Sequence, residues 1–245
     1  MIEIERLAKR YGGVVALAEC SVAIERPGIY GLIGPNGAGK TTLFDVITGA
    51  TLPDAGSVHI AGQEVTGIAS HRLSAIGVAR TFQECRVFPE YSCLDNLLYA
   101  LQRKSLGWTL GQMLARLRPL SRREEALRML GLVNLQSYAD EPAASLYFGQ
   151  RRLLEIVGTF IVQPRFLLLD EPASGVNPAL LETLSAFLRT MYRERPGVFL
   201  IVEHNMQFIM QLADELIVMH QGAVIDRGAP EAIQASPRVI EAYLG

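Results

Sequence analysis

The sequence is poor in cysteine, in lysine and in uninterrupted apolar runs, and each scarcity removes a class of protein. Three cysteines (Cys20, Cys85, Cys93) are odd in number and show no C-x-x-C spacing, which speaks against a disulfide framework and against a zinc site, and points to a reducing compartment. His59, His71 and His220 also lack metal-ligand spacing and read as surface or packing residues. The longest aliphatic runs, 166–169 and 198–202, are strand-length and far short of the ~20 residues a spanning helix needs. The first five residues carry neither a basic n-region nor an apolar h-region, so no signal peptide is expected, and membrane association is expected to go through a partner protein. An excess of charge of either sign is missing too. With 23 Lys plus Arg against 25 Asp plus Glu the net charge is −2, which argues against a constitutive nucleic-acid binder.

What is present is an ordinary globular composition, 49% hydrophobic and 20% charged, over 245 residues. That length serves one large domain or two small ones. The mean hydropathy of +0.21 fits a large apolar interface and a large core equally well.

Along the chain, Ile2, Ile4 and Leu7 suggest a first strand, with 21–25 and 29–33 two more. The last of these runs through a Gly-rich turn into a helical pattern at 40–48. Pro53-Asp54-Ala55-Gly56 reads as a turn before a short strand at 57–60. From about 88 to 160 the pattern is helical (94–101, 110–117, 124–130, 150–160). Strand signals return at 166–169, 198–202, 216–219 and 223–226, with helices at 178–194 and 206–213 among them. Strands alternating with helices predict an α/β fold with a mostly parallel sheet, carrying an inserted helical subdomain. The expected division is a core of 1–87 and 161–245 with the helical part at 88–160.

Gly34-Pro35-Asn36-Gly37-Ala38-Gly39-Lys40-Thr41 fits G-x-x-x-x-G-K-[ST] in full, after an apolar strand and before a helix that continues with Thr42. Glycines let backbone N–H groups curl around phosphates, and the helix N-terminus adds a positive dipole end. Lys40 is expected to reach the β- and γ-phosphates of ATP, and Thr41 to ligate Mg²⁺. The bland alternative is a Gly-rich turn with a solvated lysine. With three lysines in the whole chain, one falling here by chance is improbable. An apolar strand ending in Asp170-Glu171 adds a carboxylate, Asp170, expected to hold Mg²⁺ through water, and a second, Glu171, placed to orient or deprotonate the attacking water as general base. Alone, such a run is usually just a strand leaving the core; paired with the phosphate loop, it reads as catalytic.

At this point the residues resemble the ATP-binding cassette (ABC) family along essentially the whole chain. The resemblance implies the ABC ATPase fold, with antiparallel N-terminal strands beside a P-loop NTPase core. It implies that Tyr11 stacks on adenine and that Gln83 senses Mg²⁺ and the γ-phosphate, opening the segment that faces the membrane subunit. Leu146, Tyr147, Phe148, Gly149 and Gln150 stand where the family has its signature L-S-G-G-Q, with Tyr147 for Ser and Phe148 for Gly. Ser174, Gly175, Val176 and Asn177 resemble the loop that crosses between subunits, with Asn177 where Asp is common. His204 matches the switch histidine that contacts the γ-phosphate. Residues 77–88, the spacer 102–123 and the ending Ala242-Tyr243-Leu244-Gly245 are most similar to ATP-binding subunits of branched-chain amino acid importers and their amide or urea relatives.

The implied function is a transport motor at the cytoplasmic face of the membrane. Its partners are a second ABC ATPase subunit, permease subunits that meet the helical part near Phe88-Pro89-Glu90-Tyr91 and, indirectly, an external substrate-binding protein. The departures at Tyr147 and Phe148 make a heterodimer the preferred assembly over a homodimer. Other ABC transporters, importing or exporting, are the alternative. A soluble ABC ATPase acting on ribosomes or DNA is disfavoured by the single motif set and the lack of heptads or a basic stripe. A metabolic kinase using the same loop is disfavoured by the signature-like segment and His204. The sequence does not name the cargo.

Overall fold

The computed structural model describes residues 1–81, 87–103 and 119–244, which cluster into two units interleaved along the chain. The first unit comprises Met1–Arg80, Arg165–Pro172 and Pro196–Gly245, and the second Thr81–Pro164 and Ala173–Arg195.

In the first unit, β1 (Ile2–Tyr11) and β2 (Val14–Ile24) form an antiparallel hairpin turning at Gly12. They are followed by β3 (Gly28–Ile33), α1 (Lys40–Ile47), β4 (Ala55–Ile60), β5 (Gln63–Glu64), a short α2 (Ser70–Leu73) and β6 (Val78–Arg80). The second unit contributes α3 (Cys93–Arg103), α4 (Pro119–Leu132) and α5 (Phe148–Phe160). The chain then crosses the first unit as β7 (Phe166–Asp170), returns to the second as α6 (Pro178–Glu194), and ends in the first. That last stretch is β8 (Val198–Val202), α7 (Met206–Leu212), β9 (Glu215–His220), β10 (Ala223–Gly228), α8 (Pro230–Gln234) and α9 (Pro237–Leu244). The expected helix at 110–117 lies outside the described residues.

Two sheets build the first unit. One has the order β10-β9-β3-β8-β7-β6; all its neighbours run parallel except β10, which is antiparallel to β9. Strands β3, β7 and β8 are buried along their whole length, as continuous apolar runs in a parallel sheet covered on both faces should be. The other sheet, β2-β1-β4-β5, is antiparallel, and in β1 Ile2 and Ile4 turn inward while Glu3 and Glu5 do not. One apolar cluster includes Ile4 and Leu17 from the antiparallel sheet, Leu43 and Phe44 of α1, and Leu168 and Leu200 of the parallel sheet.

In the second unit Asn177 caps α6: its Oδ1 accepts the Leu180 N–H at 3.0 Å, with Pro178 in the first turn. The sequence-based division at 87/88 and 160/161 differs from the observed one chiefly in α6. Periodicity along the chain marks a helix but does not register which body its apolar face packs against.

Candidate functional site

Strand register decides where the chemistry-bearing residues surface. Leu32 of β3 pairs with Val202 of β8, and Val202 pairs with Asp170 of β7, so three adjacent strands end side by side. The phosphate loop follows the first, Glu171 the third, and the turn bearing His204 the second. Ligands of open α/β sheets bind outside such carboxyl ends.

Gly34 leaves β3 with φ 148, and a Cβ there would stand 2.1 Å from the carbonyl oxygen of Met219, so only glycine passes. The loop is braced from two sides. The N–H of Gly222, in the β9–β10 turn, donates to Ala38 O at 3.0 Å, while Gly222 O accepts from Ala18 N at 2.9 Å. The Tyr243 phenol of α9 accepts a hydrogen bond from the Gly34 N–H; burial pushes this phenol's pKa up and that bond offsets part of the rise. Pro35 is half-buried, Asn36 and Gly37 are exposed, Ala38 is buried, and Gly39 precedes α1 as its N-cap with φ 98. Lys40 is buried, and its ammonium donates to Gly34 O at 2.7 Å and Pro35 O at 2.9 Å. Burial holds its pKa below the usual lysine value, and the Glu171 carboxylate draws it partly back. Thr41 is exposed and Thr42 half-buried.

Asp170 is buried at the end of β7. Glu171 follows with φ 45, a left-handed backbone that costs a non-glycine residue about 1–3 kcal/mol and recurs at functional sites. Its N–H donates to Val202 O at 2.9 Å, and its Oε1 lies 2.9 Å from His204 Nε2. The buried Glu203 shapes that turn, its Oε2 accepting the N–H groups of His204 and Asn205 at 2.9 and 3.0 Å. Tyr11 ends β1 with half its surface exposed and the Lys9 ammonium 5.5 Å from its ring centroid. Asp54, in the turn read from sequence, holds this strand end by accepting from Lys9 Nζ at 2.9 Å and Arg10 N at 2.7 Å.

In the second unit Leu146 is buried and Tyr147 is 81% exposed. Gln150 folds back so that its Oε1 accepts the Tyr147 N–H at 3.1 Å, closing the start of α5. Gly149 is buried, and a Cβ there would meet Leu180 at 2.9 Å. The Phe148 ring lies against Gly175, whose own Cβ position would be 2.5 Å from Phe148 Cε1. Ser174 and Asn177 are exposed and Val176 is half-buried. Phe88 (45% exposed), Tyr91 and Tyr99 form an aromatic cluster with centroids 4.9–6.4 Å apart. Gln83 and Cys85 lie outside the described residues.

Sequence reasoning did not single out Arg80, Asp45, Glu203 or Tyr243. Glu203 and Tyr243 each adjoin or belong to a segment quoted for family likeness, but nothing in their spacing announces a hydrogen bond to a turn or to the phosphate loop.

The profile of the ABC transporter family matches residues 17–174. The chain belongs to the ABC transporter family. A second profile, that of the branched-chain amino acid ATP-binding cassette transporter, matches residues 227–245 of the cassette. The cassette is 38% identical over 251 residues to the high-affinity branched-chain amino acid transport ATP-binding protein BraF of Pseudomonas aeruginosa, covering 100% of this chain and 98% of that one. Among solved structures it resembles a nucleotide-free ATP-binding cassette from an ABC transporter, with a TM-score of 0.84 at 28% identity, covering 100% of this chain and 99% of that one. It also resembles an ATP-binding cassette of an ABC transporter in its ADP conformation, with a TM-score of 0.83 at 29% identity, covering 100% and 98%. The cassette is thus an ATP-binding ATPase of α/β fold, and the antiparallel sheet expected beside its parallel core is present.

Proposed function

We propose that the chain is the ATP-hydrolysing subunit of a branched-chain amino acid importer, working as one of two cassettes that close around ATP and move a permease. The meeting of Lys40, Asp170, Glu171 and His204 at neighbouring strand ends carries the ATPase reading. The match at 38% identity to a branched-chain amino acid transport protein, together with the tail profile, supports the cargo class.

In this reading the phosphate-loop amides, Lys40, Thr41 and Thr42 hold the nucleotide phosphates. The ammonium of Lys40, now bonded to two loop carbonyls, exchanges them for phosphate oxygens. Thr41 and Asp170 offer a hydroxyl and a carboxylate, a hard-oxygen set that suits Mg²⁺, with Gln83 as its third contact. When bound, that cation neutralises charge on the phosphoryl oxygens. Glu171 orients and deprotonates the attacking water. His204 fixes the Glu171 carboxylate and reaches the γ-phosphate. Tyr11 offers its exposed ring to adenine. The signature at Leu146–Gln150 and the loop 174–177 serve the ATP of the opposite cassette.

Partners follow the same reading: a second, different ABC ATPase subunit, permease helices received at the Phe88 cluster, and an external binding protein reached through the permease. The cassette sits at the cytoplasmic face of the membrane. Co-purification of the tagged chain from membranes, followed by reconstitution and uptake assays, tests this. Recovery with a permease and binding protein that take up leucine, isoleucine or valine in an ATP-dependent manner is expected. Recovery with an exporter, or with a permease for another solute, refutes the cargo class.

A further inference from the structure

Arg80 ends β6, three residues before Gln83 in sequence, and its side chain is only 13% exposed. One guanidinium nitrogen serves two acids: it lies 2.7 Å from Asp45 Oδ1 and 3.6 Å from Asp170 Oδ2. The other terminal nitrogen donates to Thr48 Oγ1. The guanidinium carbon sits 4.9 Å from the centroid of the Phe44 ring. Phe44 and Asp45 belong to α1 and Thr48 follows it, and α1 is the helix that begins at Lys40 and Thr41. Arg80 therefore lodges against the C-terminal half of the phosphate-loop helix and reaches from there to the carboxylate at the end of β7.

A guanidinium is always charged and its planar fork suits two oxygen partners at once. Two carboxylates close enough to share one nitrogen repel each other unless a cation stands between them. Arg80 supplies that cation from within the chain. A divalent cation arriving with nucleotide brings the same sign of charge to the same carboxylate, in a half-buried place where charges are weakly screened.

We propose that Arg80 is a built-in counter-ion and positioning residue. It ties Asp170 to α1 when no divalent cation is bound, and it competes with that cation for the Asp170 carboxylate. The proposal rests on the reading of Asp170 as a cation ligand. Arg80 thereby sets how tightly the metal is held, and it confines firm metal binding to the state in which nucleotide oxygens complete the site.

The test measures Mn²⁺ binding by electron paramagnetic resonance on the full chain with a non-hydrolysable ATP analogue, alongside thermal unfolding in EDTA and in Mn²⁺ without nucleotide. Arg80→Met keeps the length and the stacking but removes the charge. It is expected to tighten Mn²⁺ binding by about ten- to a hundred-fold, the range that outer-shell partners of metal ligands command, here upward because the group removed is a cation. It is also expected to unfold earlier than wild type in EDTA and to recover selectively when Mn²⁺ is added. Asp45→Asn, which removes the acid that shares this guanidinium nitrogen with Asp170, is expected to weaken Mn²⁺ binding. A packing role for Arg80 predicts a loss in both variants, and unchanged or weaker Mn²⁺ binding by Arg80→Met overturns the proposal. If that variant does not fold, Arg80→Gln takes its place with the same expected sign and the same refuting result. Asp170→Asn separates this idea from its premise. If it leaves Mn²⁺ binding unchanged, the assignment of Asp170 is wrong; if it abolishes binding while Arg80→Met behaves as wild type, only the counter-ion role falls.

Discussion

Replacing Glu171 by Gln changes one atom in a site whose geometry is already described. The residue sits at φ 45, its backbone held by the Val202 carbonyl and by the strand it follows, and Gln of the same size inherits that position. The amide oxygen of Gln can still accept from His204 Nε2, which now lies 2.9 Å from the carboxylate. What is lost is the capacity to take a proton from water. A positioned general base contributes roughly 10²–10⁴-fold, which is about 2.7–5.4 kcal/mol of barrier at ~1.4 kcal/mol per decade. Phosphate release should therefore fall by about that factor, while binding of a fluorescent ATP analogue stays within about twofold, since Glu171 gives ATP no direct bond in this scheme. ATP-bound dimers should accumulate on gel filtration. Turnover near wild type refutes the general-base role, and weakened ATP binding shows instead that the carboxylate holds the loop around Lys40, whose pKa it raises.

Three further outcomes are expected. Lys40→Ala should abolish hydrolysis, because a charge-assisted clamp on the transferred phosphoryl is gone; residual activity near wild type in a phosphate-release assay contradicts the phosphate-loop assignment. Tyr11→Ala should weaken ATP binding by about 1–3 kcal/mol, taking aromatic stacking as the guide, with guanine nucleotides competing nearly as well as ATP on the wild type, and unchanged affinity by calorimetry returns Tyr11 to a strand-end role. Phe88→Ala should uncouple transport from hydrolysis in the reconstituted complex with basal ATPase retained. Its 45% exposure makes an interface role more apt than a core one, and a chain that fails to fold shows the opposite.

The sequence was most informative where chemistry demands a fixed spacing. The phosphate loop, the acidic strand end and His204 were all legible, because each motif sits directly after a buried apolar run that reads as a strand. The hairpin β1–β2 was half visible. Register shifts and the left-handed residues Arg6 and Glu19 break its alternation, so 14–20 did not read as strand. Strand β6, three residues long, carries too little pattern to be found alone. The roles of Arg80 and Tyr243 were invisible for another reason. Arg80 meets Asp45 and Asp170 only after three elements are packed, 35 and 90 positions apart in sequence, and the Gly34–Tyr243 bond joins opposite ends of the chain.

The signature departure makes the last prediction, and the structure divides it in two. Serine in this position offers a short hydroxyl next to the backbone, and Tyr147 places its phenol several bonds farther out. At 81% exposure the ring is directed into solvent, while the Tyr147 N–H is already taken by Gln150. Phe148 is a different matter. Its ring rests on Gly175, which has no Cβ and stands at φ 70, so the chain makes room for this bulk in its own loop at 174–177. Restoring glycine at 148 therefore removes the half-exposed ring that packs on Gly175, and puts a flexible residue at the start of α5, as well as freeing the backbone. The missing hydroxyl should cost the opposite cassette's ATP about 0.5–3 kcal/mol, the range from a neutral to a charged hydrogen bond. Two such chains together carry that defect in both sites. A partner with an intact signature repairs the site built on this chain's phosphate loop, which is why a heterodimer is proposed. Tyr147→Ser alone should then raise ATP turnover of the isolated chain. The double change Tyr147→Ser with Phe148→Gly should raise it too, but with a lower unfolding temperature than the single variant. Analytical ultracentrifugation with ATP should find the wild-type chain mostly monomeric until the partner is added. A wild-type chain that dimerises alone and turns over fast, and that slows when Tyr147 becomes Ser, refutes the argument.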